Sequence, residues 1–147
     1  MKIYLDTCVY NRPFDDQTQE RINLETYAFL IVLEGIEKKI YNLVVSEVNL
    51  FENARDKKIE RKNKVKTIFN LANEFVELKE DDLKKVEYLE KLGFLGLDAL
   101  HIVAAEKAKV DYLISCDDKM IKIYKNNEKF INVRVVNILE FILKEVI

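Results

Sequence analysis

The chain holds one proline, three glycines, two cysteines and one histidine in 147 residues, and no tryptophan. So little Pro and Gly excludes collagen-like repeats, flexible linkers and extended disorder. Two cysteines, Cys8 and Cys116, make no disulfide framework, and both are expected to be buried thiols. Long apolar runs are also missing. The longest, Tyr27-Ala28-Phe29-Leu30-Ile31-Val32-Leu33, falls far short of the roughly 20 residues of a membrane span. Met1-Lys2-Ile3-Tyr4-Leu5-Asp6 reaches an acid too soon for a signal peptide, so a cytoplasmic protein with no membrane association is expected. A net charge of −2 gives no global attraction to nucleic acid. What is there is ordinary for one domain spanning 1–147: 49% hydrophobic and 34% charged residues, with no composition shift to mark a boundary.

Five short apolar runs read as strands, at residues 2–6, 41–45, 75–78, 112–115 and 133–136. Helical patterns lie between them, at 20–38, 46–54, 57–73, 80–92, 97–109 and 118–126. Gly93 is placed to end the fourth of these, and Asn137 to cap a last helix over Ile138-Leu139-Glu140-Phe141-Ile142-Leu143. Strands alternating with helices predict right-handed βαβ units in an α/β fold with a central parallel sheet of four to five strands. Residues 75–78, short and partly polar, suit a sheet edge.

Four carboxylates stand where a strand gives way to a helix or loop: Asp6, Glu47, Asp98 and Asp117. In a parallel sheet the strand C-termini share one edge, so residues just past them converge. Clustered carboxylates repel and raise each other's pKa unless a cation offsets them. A hard divalent ion, Mg²⁺ or Mn²⁺, does so with oxygen ligands. Taken singly, each acid is equally explained by the preference of Asp and Glu for the first turn of a helix. Asp6 is the exception, since no helix N-terminus is evident after it.

The local contexts are more specific. Ile3-Tyr4-Leu5-Asp6-Thr7, Val45-Ser46-Glu47-Val48, Leu97-Asp98-Ala99-Leu100-His101-Ile102-Val103-Ala104-Ala105 and Val110-Asp111-Tyr112-Leu113-Ile114-Ser115-Cys116-Asp117 occur in that order across the chain. In order and spacing they resemble the PIN-domain nucleases, and in particular the VapC toxins. The resemblance implies a three-layer α/β/α PIN-like fold and a metal-dependent ribonuclease that cleaves RNA phosphodiesters by attack of activated water. It implies Mg²⁺ or Mn²⁺ held by Asp6, Asp98 and Asp117, with Glu47 as a further ligand or base and Ser115 touching the site. It also implies RNA as substrate, an antitoxin protein as partner in a type II toxin–antitoxin pair, and a homodimer.

Two positions depart from the family pattern. Cys8 stands where Asn is common, which places a soft ligand near the metal. Lys119 stands where many members carry another acid, so Asp118 competes with Asp117 for the fourth position. Arg12, in Asn11-Arg12-Pro13-Phe14, is a candidate phosphate contact, its alternative being an exposed residue in a turn fixed by Pro13. His101, one turn after Asp98, is expected on the helix surface or beside the site rather than in the chemistry. Arg55, Lys57, Lys58, Arg61, Lys62, Lys64 and Lys66 crowd one segment, as a solvated helix face or as a phosphate-binding ridge. The competing functional class is a catalytically weak PIN-like module that binds RNA or protein without cutting. Phosphatase and receiver folds that also use acids after the first strand leave Glu47 and Asp98 unexplained.

Overall fold

The computed structural model describes residues 1–147. Strand β1 (Lys2–Leu5) lies at the centre of a five-stranded sheet in the order β3-β2-β1-β4-β5, with β2 at Asn42–Ser46, β3 at Glu74–Val76, β4 at Tyr112–Ser115 and β5 at Arg134–Asn137. Every pairing is parallel, and Tyr4 is in register with Val44 on one side and Leu113 on the other. The helices are α1 (Thr7–Asn11), α2 (Glu20–Glu37), α3 (Glu47–Ala54), α4 (Ile59–Phe69), α5 (Asp82–Lys91), α6 (Gly96–Lys107), α7 (Asp118–Asn126) and α8 (Ile138–Glu145).

The period of two along each strand divides the core into two. Ile3, Leu5, Leu43, Val45, Tyr112 and Ile114 face α2, α4 and α8 through Phe29, Val32, Val65, Phe69 and Phe141. Tyr4, Val44, Leu113 and Val135 face α5, α6 and α7 through Leu89, Ile102, Ala105 and Met120. Strands buried on both faces explain why these segments are continuous apolar runs rather than alternating ones. The result is the three-layer α/β/α arrangement.

Several bounds differ from the sequence reading. The third strand is Glu74–Val76 rather than 75–78, and it takes the edge position. The basic helix is Ile59–Phe69, shorter than 57–73 at both ends. Helix α1 and the 3-10 turn Arg12–Phe14 were not anticipated, because five helical residues are too few for a periodic pattern. Gly93 has φ 111° and closes α5: its amide donates to Glu90 O (3.0 Å) and that of Phe94 to Leu89 O (3.2 Å). This paired arrangement sets Phe94 against Leu89 in the core and turns the chain into α6, which carries Asp98.

Candidate metal centre

All five strands end on one edge, and the sheet reverses its winding direction between β1 and β4, where parallel α/β folds open a crevice. Asp6 stands at that reversal. Its amide continues the β1–β4 ladder to Ile114 O (2.9 Å), and although it precedes α1 its side chain makes no capping bond. The carboxylate is spent across the sheet instead: Oδ2 accepts from Ser115 Oγ (2.8 Å), and Oδ1 lies 3.6 Å from His101 Nε2. Only 6% of Asp6 is exposed.

Asp98 lies in the first turn of α6, three residues past the N-cap Leu95, and makes no hydrogen bond within the protein. Its pKa is pushed up to about 6 by burial, then by the charges of Asp6 and Asp117. A carboxyl so placed is electrostatically unsatisfied, which is what a cation would correct. Asp117 both caps α7, accepting from Lys119 N (3.0 Å) and Met120 N (3.3 Å), and contributes to the field on Asp98. Asp118 is turned away and pairs with Arg21 of α2 through both carboxylate oxygens. Asp6 and Asp117 thus lie close enough to Asp98 for their charges to raise its pKa, while Asp118 is engaged by Arg21.

Glu47 is a correction. It is exposed at the start of α3, with Oε1 accepting from Leu78 N (2.6 Å) beyond β3, away from Asp6. Glu52 fills the expected place. Five residues along a helix turn the side chain by about 140°, so the two glutamates cannot both face Asp6. Glu52 Oε1 accepts from Thr7 Oγ1 (2.9 Å) and contacts His101 Nε2. The signal available for Glu52 was a polar stripe, Asn49, Glu52 and Asn53, at helical spacing after β2. Asn49 and Asn53 are both buried, and Asn49 Nδ2 donates to Leu5 O (3.2 Å) and Thr7 Oγ1 (3.1 Å), tying α3 to the end of β1.

His101 is not on the helix surface: it is 1% exposed. Tyr4 Oη lies 2.5 Å from its Nδ1 and 2.6 Å from Ser46 Oγ, forming a buried relay beneath Glu52. Burial alone would disfavour the imidazolium, but the hydrogen bond to Glu52 and the charges of Asp6, Glu52 and Asp98 outweigh it and raise the His101 pKa. Burial likewise opposes the Glu52 carboxylate, yet the bond to His101 holds its pKa down. Ligand atoms of Asp6, Glu52 and His101 lie within 4.8 Å of one another, close enough to share an ion.

Two other expectations resolve differently. Arg12 is not presented to the site: Nε bonds Glu25 Oε1 and Nη1 bonds Asp15 Oδ2, each at 2.9 Å. Glu25 is fully buried; Arg12, with Arg21 Nε at 3.5 Å from Oε2, offsets its charge, and Asn137 Nδ2 donates to Oε2 at 2.8 Å. Cys8 does not join the donor set. Its sulfur accepts from Cys116 N (3.4 Å) and lies 3.6 Å from Ser115 Oγ, so it packs behind Ser115.

The ligand atoms already within reach of one ion are the carboxylate oxygens of Asp6 and Glu52 and a ring nitrogen of His101; Asp98 and Asp117 add negative charge beside them, and a site this rich in carboxylate fits a hard divalent cation. No helix is long and apolar enough to cross a membrane. The family model for the PIN domain matches residues 3–126, and the chain belongs to that family. No curated protein matches the sequence. Among solved structures, a chain of VapBC2 from Rickettsia felis, determined bound to a DNA fragment from its promoter, is similar in fold, with a TM-score of 0.51 and 19% identity. The match covers 93% of this chain and 98% of that one.

Proposed function

From membership of the PIN-domain family we propose that this protein is a Mg²⁺- or Mn²⁺-dependent endoribonuclease, the toxin of a type II toxin–antitoxin pair. The observation that carries the nuclease reading is the acidic cluster at the strand ends: Asp6 and Glu52 lie within reach of one ion, and beside them Asp98 is a half-buried carboxyl pushed up to about 6 by burial and by the charges of Asp6 and Asp117. A binding module has no use for such repulsion; a metal centre does. Toxin status is supported by the likeness of fold to the VapBC2 chain alone.

Asp6, Asp98 and Asp117 would hold the ion, with Glu52 beside them. When bound, the ion lowers the pKa of its water and offsets charge growing on the phosphoryl oxygens. The protein supplies orientation. Ser115 fixes Asp6 from behind, and Thr7 and His101 fix Glu52 through Oε1, leaving Oε2 free to face the site. Tyr4 and Ser46 in turn hold the imidazole of His101. Asp98 would give up its proton on binding the ion. The reaction is attack of water on a phosphodiester, breaking the P–O3′ bond and leaving a 5′-phosphate and a 3′-hydroxyl.

The test is cleavage of single-stranded RNA by the chain, stripped of copurifying protein under denaturing conditions and refolded. Cleavage that requires Mg²⁺ or Mn²⁺, stops with chelator and is lost in Asp98→Asn at an unchanged circular dichroism spectrum supports the reading. No cleavage of several RNAs with any divalent metal contradicts it and favours the binding module.

A further inference from the structure

Beside Glu52 the surface opens into a cavity of about 410 Å³ with no apolar side chain in its wall. Thr7 and Glu52 form the side shared with the metal centre, and the turn between α3 and α4 supplies Arg55, Lys57, Lys58 and Arg61 on the other. The acids there are already engaged. Asp56 is gripped by Arg61 through two bonds, Nε–Oδ2 at 2.5 Å and Nη2–Oδ1 at 2.8 Å, and Glu52 is held by Thr7 and His101. Arg55, Lys57 and Lys58 have no carboxylate partner, although the whole chain is net negative. Arg55 lies over the Phe51 ring, 5.3 Å from its centroid, which keeps it at the rim.

The wall has a second unmet need. Asn11 Oδ1 and Asn53 Oδ1 are buried in it with no hydrogen-bond partner, and Asn53 is 5% exposed. Unpaired buried acceptors are uncommon and cost about 1–3 kcal/mol each. Those two atoms lie beneath the surface and are out of reach of a ligand; what the cavity presents is the uncompensated charge of Arg55, Lys57 and Lys58 on a wholly polar wall, which matches the phosphate oxygens of a nucleic-acid strand. The rest of the basic run is different: Lys64 pairs with Glu60, and Lys62, Lys64 and Lys66 lie outside the cavity wall. The segment therefore divides into a solvated helix face and a short phosphate-facing turn.

We infer that this cavity is a phosphate subsite in which Lys57 and Lys58, steered by Arg55, bind the RNA backbone next to the bond placed at the carboxylates. The identity of the ligand rests on the ribonuclease reading above. Because the site touches the metal centre only through Thr7 and Glu52, it fixes where the strand leaves the carboxylates and hence its direction across the sheet edge.

The experiment measures binding of a short single-stranded RNA to the full chain carrying Asp98→Asn, so that the RNA stays intact, over a range of KCl concentration with Mg²⁺ present. Lys57→Gln/Lys58→Gln is compared with Lys84→Gln/Lys91→Gln on α5, across the sheet, which removes the same charge. The first pair is expected to weaken binding about tenfold and to flatten the slope of log affinity against log salt by about 1.4, at about 0.7 per lost phosphate contact; the second pair changes neither beyond its effect on net charge. Equal effects of the two pairs overturn the subsite, and leave the nuclease reading standing if the wild type cuts RNA. A flattened slope for the first pair alone, with a wild type that cuts nothing, upholds the subsite and overturns the nuclease. No RNA binding at all by the Asp98→Asn chain overturns the subsite directly.

Discussion

Ser115 Oγ donates to Asp6 Oδ2 at 2.8 Å, joining the ends of two adjacent strands whose residues are 109 apart in sequence. The same oxygen accepts from Asp117 N (3.0 Å), so one hydroxyl orders two acids at the strand ends. Ser115→Ala leaves the Asp6 carboxylate buried without this donor and frees the backbone of Asp117. It is expected to cost about 1.5–3 kcal/mol of stability, read from urea unfolding, because the lost bond is to a charged group. Loss of divalent-metal affinity should accompany it, about 10- to 100-fold by titration calorimetry.

The Asp98 pKa of about 6 sets a pH dependence. It is raised above the ordinary carboxyl value, so the folded chain holds this proton more tightly than the unfolded one. The stability it confers on the metal-free protein is present below about pH 4 and is lost as pH rises through about 6. Asp98→Asn should therefore stabilise the metal-free protein at neutral pH, by about 1–2 kcal/mol after allowance for solvent screening, and have little effect at pH 4. Metal affinity should climb through pH 6 with release of a proton to buffer, and that release should vanish in Asp98→Asn.

Glu47 and Glu52 separate the metal centre from the helix end. Glu52→Gln should lower kcat/KM on RNA by about a hundredfold or more, since its carboxylate meets Thr7 and His101 at the site. Glu47→Gln, which only alters an acceptor for Leu78 N, should leave kcat/KM within about twofold. Steady-state cleavage of one RNA by both variants distinguishes them.

Gly93 offers a test of the fold that supports Asp98. A Cβ there would meet nothing within 4 Å, so Gly93→Ala carries only the conformational cost of φ 111°. About 1–2 kcal/mol of stability should be lost, seen as a lowered Tm, with metal affinity nearly intact.

The sheet was legible because its strands are buried on both faces and stand out as apolar runs; the edge strand was shortest and its bounds moved most. Asp6, Asp98 and Asp117 were visible because strand ends are fixed by topology. The fourth acid was not, because Glu47 touches the end of β2 in sequence while Glu52 reaches the site only through the rotation of α3. Asn49 and Asn53 mark that face, but buried polar residues cannot be told from exposed ones without a packing partner. For His101, expected on the helix surface or beside the site, the second holds; the choice was not legible because its burial on α6 depends on α3 lying across it, a contact between segments about 50 residues apart. Capping accounts for only one of the three aspartates, since Asp117 caps α7 while Asp6 and Asp98 cap nothing. Cys8, expected as a buried thiol, packs behind Ser115, and Arg12, a candidate phosphate contact from its place after the first strand, is taken up by Glu25 instead.

The most direct measurement is an anomalous difference map from crystals of the chain grown with Mn²⁺. The account predicts a peak bounded by the carboxylates of Asp6 and Asp98, with Glu52 rather than Glu47 beside it, and its loss in Asp98→Asn crystals of the same form. No peak at the strand ends at saturating Mn²⁺, or a peak held by Glu47 away from Asp6, would contradict it.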